Sequence, residues 1–322
     1  MATIYDVAKL AGVSPATVSR VMNGVTVSPD LAEAVRSAAK ELNYTANRTA
    51  RALRNRNSQV IALIIPDIEN PFFTSLGRGV EDLAQASGYS VVLCNSDEDV
   101  TKESRYIDIA LSENMAGIIL APASDRSDLS ALVSRNHPVV AVDRGPHGFN
   151  IDAVTLDSHG AGAAATTALL ARGFRRVACI TGPQDVETAQ QRSAGWSDVV
   201  QPRGQHPLGP DELLLHANYR VDGGFLAMRE LLAMTNPPDA VVVANNLMGA
   251  GALQALREAG LSPNEVGLAV LGDLPYASLA MSGAVVIDLP ARQLGVVATT
   301  LLMERIDGDT QPARTVVLPI ET

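Results

Sequence analysis

The side chain with the most specific chemistry to offer is Arg20, in the run Pro15-Ala-Thr-Val-Ser-Arg-Val-Met-Asn23. A guanidinium donates two parallel hydrogen bonds to guanine O6 and N7, so an outward arginine on a short helix can read a base in the major groove. Read as a helix with Val18, Val21 and Met22 inward, the run turns Pro15, Ala16, Ser19, Arg20 and Asn23 outward. Pro15 and Ala16 offer apolar contact, for example to a thymine methyl. Thr17, Ser19 and Tyr5 are suited to phosphate contacts that fix orientation without reading sequence.

A second group is NRTARALRN, Asn47 to Asn55, with Arg48, Arg51, Arg54 and Arg56 around one apolar Leu53. A lone leucine among arginines suits a wedge inserted into a minor groove while the arginines hold phosphates. Nine residues are too few for a stable isolated helix, so the segment is expected to order on DNA. The rest of the chain lacks a catalytic constellation: no GxSxG, no phosphate-cradling P-loop and no histidine pair occur. Gly160 and Gly162, in GAGAAATTALL, read as part of an Ala-rich helix rather than a dinucleotide loop. The five histidines are scattered, so neither a metal nor a cofactor is expected, and no catalytic residue is assigned.

The elements that must position these groups follow from spacing. In Ile4 to Asn23, Val7, Ala11, Val13, Val18 and Val21 form the apolar contact between two short helices, and Ala8 permits their close approach. Gly12 supplies the positive φ of the turn. Ser14 can cap the second helix, with Pro15 in its first turn, where no donor is lost. A third helix is expected from Leu31 to Leu42, with Leu31, Val35, Ala38, Ala39 and Leu42 on its apolar face. The pattern is a helix-turn-helix.

Charge is distributed to match. Residues 1–58 hold eight Lys or Arg against four Asp or Glu, whereas the remainder holds seventeen against thirty-one, for a net −10 overall. A basic head on an acidic body confines nonspecific DNA contact to the head. Beyond the head, β-rich runs at 60–65, 90–94, 116–121 and 138–142 alternate with helical stretches, and the rhythm resumes at 176–180, 240–244 and 266–271. Such alternation predicts an α/β body of two doubly wound parallel-sheet lobes behind an all-α head. Cys94 and Cys179 lie in apolar runs and are expected to be buried and reduced. With no signal peptide and no membrane-length apolar run, a cytoplasmic location and no membrane partner are expected.

TIYDVAKLAGVSPATVSRVMNG, LNYTANRTARALR and IALIIPDIENPFF together resemble the LacI/GalR family of bacterial repressors, with similarity from Thr3 to about Pro319. The resemblance implies a dimer on a pseudo-palindromic double-stranded operator. Leu53 would intercalate at its centre, Asn47, Ala50 and Arg54 would touch minor groove or backbone, and Tyr44 would lie close to DNA. It implies a head over 1–46, a hinge over 47–58, and a type 1 periplasmic-binding-protein fold over 59–322. Lobe 1 would comprise about 59–154 and 289–322, and lobe 2 about 155–288. The two lobes would enclose a small-molecule effector, a sugar or sugar derivative first.

For that effector the resemblance carries over Asn70, Phe72, Phe73, Asp143, Arg192, Tyr219, Asn245 and Asp273, with Asn246 in place of a usual aspartate. Two departures stand out. A common hydroxyl-binding carboxylate is Gly272 here, and a glutamine is Leu289, so a less hydroxylated sugar, another metabolite or no effector at all are the alternatives. No leucine heptads follow the last strand, so dimerisation through lobe surfaces is expected rather than a tetramerising coiled coil.

Overall fold

The computed structural model describes residues 2–22, 25–44, 58–200, 212–273 and 282–320. The chain divides into two compact units, Met1–Asn57 and Ser58–Thr322.

In the first unit, α1 (Ile4–Ala11), α2 (Pro15–Met22) and α3 (Pro29–Glu41) enclose a small core of Val7, Ala8, Val18, Val21, Val35, Ala38 and Ala39. Thr3 and Asp6 form a reciprocal capping box at the start of α1, and Gly12 ends it at φ 64°. Ser14 Oγ accepts from Thr17 N at 3.1 Å, capping α2 as its spacing predicts. The apolar stripe of α3 continues through Ala32 rather than Leu31. Leu31 is 42% exposed, because positions 32, 35, 39 and 42 keep the helical period toward α1 and α2. Helix α3 starts at Pro29, after Ser28, because proline is pre-set for a first helical turn.

The second unit holds two fully parallel sheets. The first runs β11-β5-β4-β3-β1-β2, from β1 (Val60–Ile65), β2 (Ser90–Asn95), β3 (Gly117–Leu120), β4 (Val139–Asp143), β5 (Asp152–Leu156) and β11 (Thr315–Leu318). The second runs β10-β9-β8-β6-β7, from β6 (Val177–Thr181), β7 (Leu214–His216), β8 (Ala240–Val243), β9 (Gly267–Leu271) and β10 (Val285–Ile287). Central strands are buried on both faces, which is why they read as continuous apolar runs. The first sheet continues through Thr155 and Leu156, so the passage into the second lobe falls at Asp157, just beyond the boundary expected at 155.

Eight helices cover the sheets among the described residues: α4 (Pro71–Ala86), α5 (Val100–Ser112), α6 (Ser130–Ser134), α7 (Ser158–Ala171), α8 (Glu187–Val200), α9 (Val221–Leu232), α10 (Asn246–Glu258) and α11 (Ala291–Ile306). The chain returns to the first lobe with α11 and β11. Gly160 and Gly162 lie within α7. A Cβ at Gly162 would overlap the backbone carbonyl of Arg192, and one at Gly195 would overlap that of His159, so α7 and α8 meet backbone to backbone. Glycines pair the same way between α4 and α11, through Gly79 and Gly295, and between α9 and α10, through Gly224 and Gly251.

Candidate DNA-reading helix and ligand cleft

Helix α2 presents Ala16 and Arg20 to solvent, while Pro15, Thr17 and Ser19 are half-buried. Ser14 is exposed, and its hydroxyl lies 3.0 Å from that of Thr17, so both help to start the helix. Tyr5 on α1 is 71% exposed, an aromatic hydroxyl placed for an external contact. Tyr44 instead packs against the head core. Asn23, Asn47, Ala50, Leu53 and Arg54 lie outside the described residues, as does nearly all of the expected hinge.

In the body, side chains at the carboxyl ends of both sheets line a cleft between the lobes. Asn70 caps α4 through its Oδ1, which accepts from Phe72 N at 2.9 Å; its Nδ2 donates no bond among the described residues. Proline at the first position of α4 then sends Phe72 and Phe73 into the lining, edge to face at 5.1 Å. Asp143 ends β4, buried, at φ 67°.

Burial raises the Asp143 carboxyl above its ordinary range, and Arg192 and Arg144 oppose that rise. It accepts no hydrogen bond among the described residues, and its nearest cation is Arg144 Nε at 3.7 Å. Arg192 reaches the cleft from α8, which Trp196 pins by donating to Val177 O at 3.0 Å. Its guanidinium donates to Ala244 O at 2.8 Å, and its Nε is buried without a partner among the described residues.

Tyr219 lines the second-lobe side at φ 61°, with its hydroxyl 3.1 Å from that of Thr188. Burial raises its pKa. Asn245 caps α10 by accepting from Met248 N and donates to Tyr219 O at 2.8 Å, so it holds the tyrosine in place. Left-handed backbone at bulky residues costs of order 1–3 kcal/mol each, and such strain gathers at functional sites. Glu98, Asp143 and Tyr219 all line the cleft with positive φ.

Asp273 is not brought into the cleft. The chain turns at Gly272 (φ 88°), which lines the cavity, whereas Asp273 is exposed and its carbonyl accepts from Asn246 Nδ2. Leu271, Gly272 and Leu289 form an apolar stretch of the wall.

The sequence reading missed several lining groups. The main one is a pair: Arg144 grips Glu98 with two bonds, 2.7 and 2.9 Å, and donates to the carbonyls of Pro122 and Ala123. Burial alone would lower the Arg144 pKa, but Glu98 and Asp143 outweigh it and hold the guanidinium charged. Asp67, Thr188, Asn218, Arg220 and Asn246 also line the cleft. Asp67, Glu98 and Arg144 follow strands β1, β2 and β4, so the rule that ligands sit at carboxyl ends of parallel strands could have found them. At the cleft margin the lobes also touch directly. Arg126 pairs with Asp185 at 2.6 Å, Gln190 donates to Asp125, Gly145 N donates to Glu187, and His147 Nε2 lies 3.5 Å from Glu187. Among the described residues no cluster of His, Cys, Asp and Glu could hold a metal, and no helix is long and apolar enough to cross a membrane.

Comparison with known proteins agrees with both halves of this arrangement. Residues 58–321 match the periplasmic binding proteins and sugar binding domain of the LacI family, and residues 3–47 match the bacterial regulatory proteins of the lacI family. The chain is 35% identical over 313 residues to a ribose operon repressor of Halalkalibacterium halodurans, covering 95% of this chain and 91% of the relative. It is 34% identical to the ribose operon repressor of Escherichia coli, covering 99% and 98%. Among solved structures it is similar to the Lac repressor dimer bound to operator and the anti-inducer ONPF, with a TM-score of 0.88, 25% identity, and 99% and 97% of the chains covered. With a helix-turn-helix head and a cleft-bearing two-lobed body, the chain is a DNA-binding transcriptional regulator and belongs to the LacI family of bacterial regulatory proteins.

Proposed function

We propose that this chain is a cytoplasmic homodimeric repressor of carbohydrate-metabolism genes, without enzymatic activity, whose grip on a pseudo-palindromic operator is set by a small-molecule effector in the cleft. The observation that carries the effector is that one cleft is lined by Asp143, a buried carboxylate accepting no hydrogen bond among the described residues, and by Arg192, whose buried Nε donates none. Both are desolvated at a cost that a ligand hydroxyl, donor and acceptor at once, offsets. The names of the ribose operon repressors support a sugar as the first class to try. Asn70, Phe72, Phe73, Arg192, Tyr219 and Asn245 serve as the cleft's effector residues with Asp143, while Asp273 does not.

On the head, Arg20 reads a base. Pro15 and Ala16 touch bases, Tyr5, Thr17 and Ser19 orient the helix on phosphates, and Leu53 acts as the minor-groove wedge. Dimerisation is supported by apolar side chains left in solvent on the body, Val92 and Leu93 on edge strand β2 and Leu226 on α9. Effector binding rearranges the lobes and changes operator affinity, with coupling of about 1–3 kcal/mol typical of such linkage.

Fluorescence anisotropy on the chain's own upstream DNA, at physiological salt with excess competitor, tests this reading. Tight specific binding altered by one member of a sugar panel is expected. No preference over competitor DNA would overturn the operator role, and indifference to every compound would overturn the effector role.

A further inference from the structure

Glu187, the first residue of α8 in lobe 2, accepts a hydrogen bond from the backbone N–H of Gly145 in lobe 1. Its other oxygen accepts from Gln191 Nε2 at 2.9 Å, so α8 itself braces the carboxylate that crosses the junction. A bond from an amide to an ionised carboxylate is about twice as strong as a neutral one. The Glu187 side chain is 22% exposed. Arg126 and Asp185, an ion pair across the same junction, are 78% and 44% exposed, and water screens them.

Gly145 carries the imprint of this contact. Its backbone lies outside the left-handed region, so no turn demands a glycine there. A Cβ at that position would instead meet the Glu187 carboxylate, 3.0 Å from Oε2 and 3.5 Å from Oε1. The glycine is accounted for by a group of the opposite lobe.

The contact also sits beside both halves of the cleft. Gly145 stands two residues beyond Asp143, which ends β4, and Glu187 stands five residues before Arg192. Helix α8 is fixed within its own lobe. Thr181 Oγ1 donates to Ala189 O at 2.9 Å, Trp196 Nε1 donates to Val177 O at 3.0 Å, and α7 crosses backbone to backbone. The backbone of Arg192 therefore moves relative to Asp143 as lobe 2 moves. Glu187 itself is not among the lining residues.

We infer that Glu187 is a positioning residue for the effector: it latches lobe 2 to the Gly145 amide and so holds Arg192 in register with Asp143. The consequence for the effector rests on the role proposed above, whereas the latch itself can be read with the cleft empty.

Distance measurements between nitroxide labels on the full chain test the latch. Ser134→Cys on α6 and Glu230→Cys on α9 place labels at exposed positions of the two lobes, and both native cysteines are buried. Dilution with unlabelled protein restricts the signal to one protomer. Glu187→Ala is expected to lengthen and broaden the interlobe distance, and Glu187→Gln, which keeps an acceptor for the amide, to restore most of it. Gly145→Ala should act in the same direction from lobe 1. A pair within lobe 2, Ala194→Cys with Glu230→Cys, should stay unchanged, which a local defect in α8 would not allow.

With D-ribose as the first probe, Glu187→Ala is expected to speed dissociation about tenfold, the effect of losing one charge-assisted bond, with association little changed. An interlobe distance identical with and without Glu187 would overturn the latch. A longer distance with unaltered sugar dissociation would overturn the positioning role. Binding of neither D-ribose nor another sugar of the panel would count against the effector reading and the positioning role with it, leaving the latch to be decided by the distances.

Discussion

Arg144 and Glu98 stand 46 positions apart in the chain and meet through a two-bond fork at the lip of the cleft, 2.7 and 2.9 Å long. Arg144 is almost wholly buried, and Glu98 keeps about a quarter of its side chain in water. The pair ties the loop after β2 to the end of β4, so it fixes the residue next to Asp143.

Removing the acidic partner is expected to be costly. Glu98→Ala leaves a buried guanidinium with carbonyl hydrogen bonds and only the more distant Asp143 carboxylate, and should destabilise the body by about 2–4 kcal/mol, discounted for the partial exposure of Glu98. A urea titration followed by circular dichroism measures this. A loss below half a kcal/mol would show that solvent already carries the charge.

The glycine at the α7–α8 crossing makes a contrasting prediction. Gly162→Ala drives a methyl into the carbonyl of Arg192 and should cost about 1–3 kcal/mol while displacing α8 from the cleft. Gly77→Ala, in α4, meets only Leu63 Cδ2 at 3.4 Å. It should be neutral or gain up to about 1 kcal/mol from helix propensity. Thermal melts of the two variants, side by side, decide the matter.

Acid stability should depend on Asp152. Burial pushes its carboxyl up, but Arg305, bonded to both oxygens at 2.7 and 2.9 Å, and the Arg314 backbone amide outweigh it, so the pKa is lowered. A carboxyl depressed in the folded state stabilises above its unfolded pKa, about 3.9, and that stability is lost as pH falls through the folded value. Melting temperature should therefore fall steeply below about pH 4. Asp152→Asn should lower the neutral-pH stability by about 2–4 kcal/mol and flatten the acid limb. Parallel pH dependences for the two proteins would refute the assignment.

On DNA, two substitutions should separate reading from anchoring. Arg20→Ala should cost about 1–3 kcal/mol on the specific site and relax preference at one base position. Leu53→Ala should weaken operator binding far more than nonspecific binding, because a wedge needs a kinkable step. Competition binding with shuffled DNA distinguishes the cases, and equal losses on both DNAs would defeat the wedge.

What could be read from the sequence was local. The head's turn glycine, caps and apolar spacing lie within twenty residues, and Gly12, Ser14 and Val18 behave as their types require. Central strands such as β1 and β8 announce themselves as buried β-rich runs. Edge strands β7 and β10 have three residues each, too few to carry a period, and β5 opens on Asp152, whose ion pairs lie far along the chain. The cleft was legible where a residue sits directly at a strand end or helix cap, as Asp143 and Asn70 do. It was not legible at Asp273, where the positive φ of Gly272 decides which neighbour faces inward, nor at Glu98, whose partner is set by topology.

The three glycine-paired helix crossings also bear on how this scaffold can change. Where backbone meets backbone there is no side chain to repack, so each sandwich of sheet and helices resists internal adjustment and behaves as a block. Most cleft residues, by contrast, stand on the loops and first turns just past the strands, and Arg192 alone among the proposed effector residues sits at one of those crossings. A new chemical taste can therefore be written into the loops without disturbing the framework, while a substitution at Gly251 threatens the framework away from the cleft and one at Gly162 reaches the taste only through Arg192. The architecture separates the part that must stay fixed from the part that is free to vary.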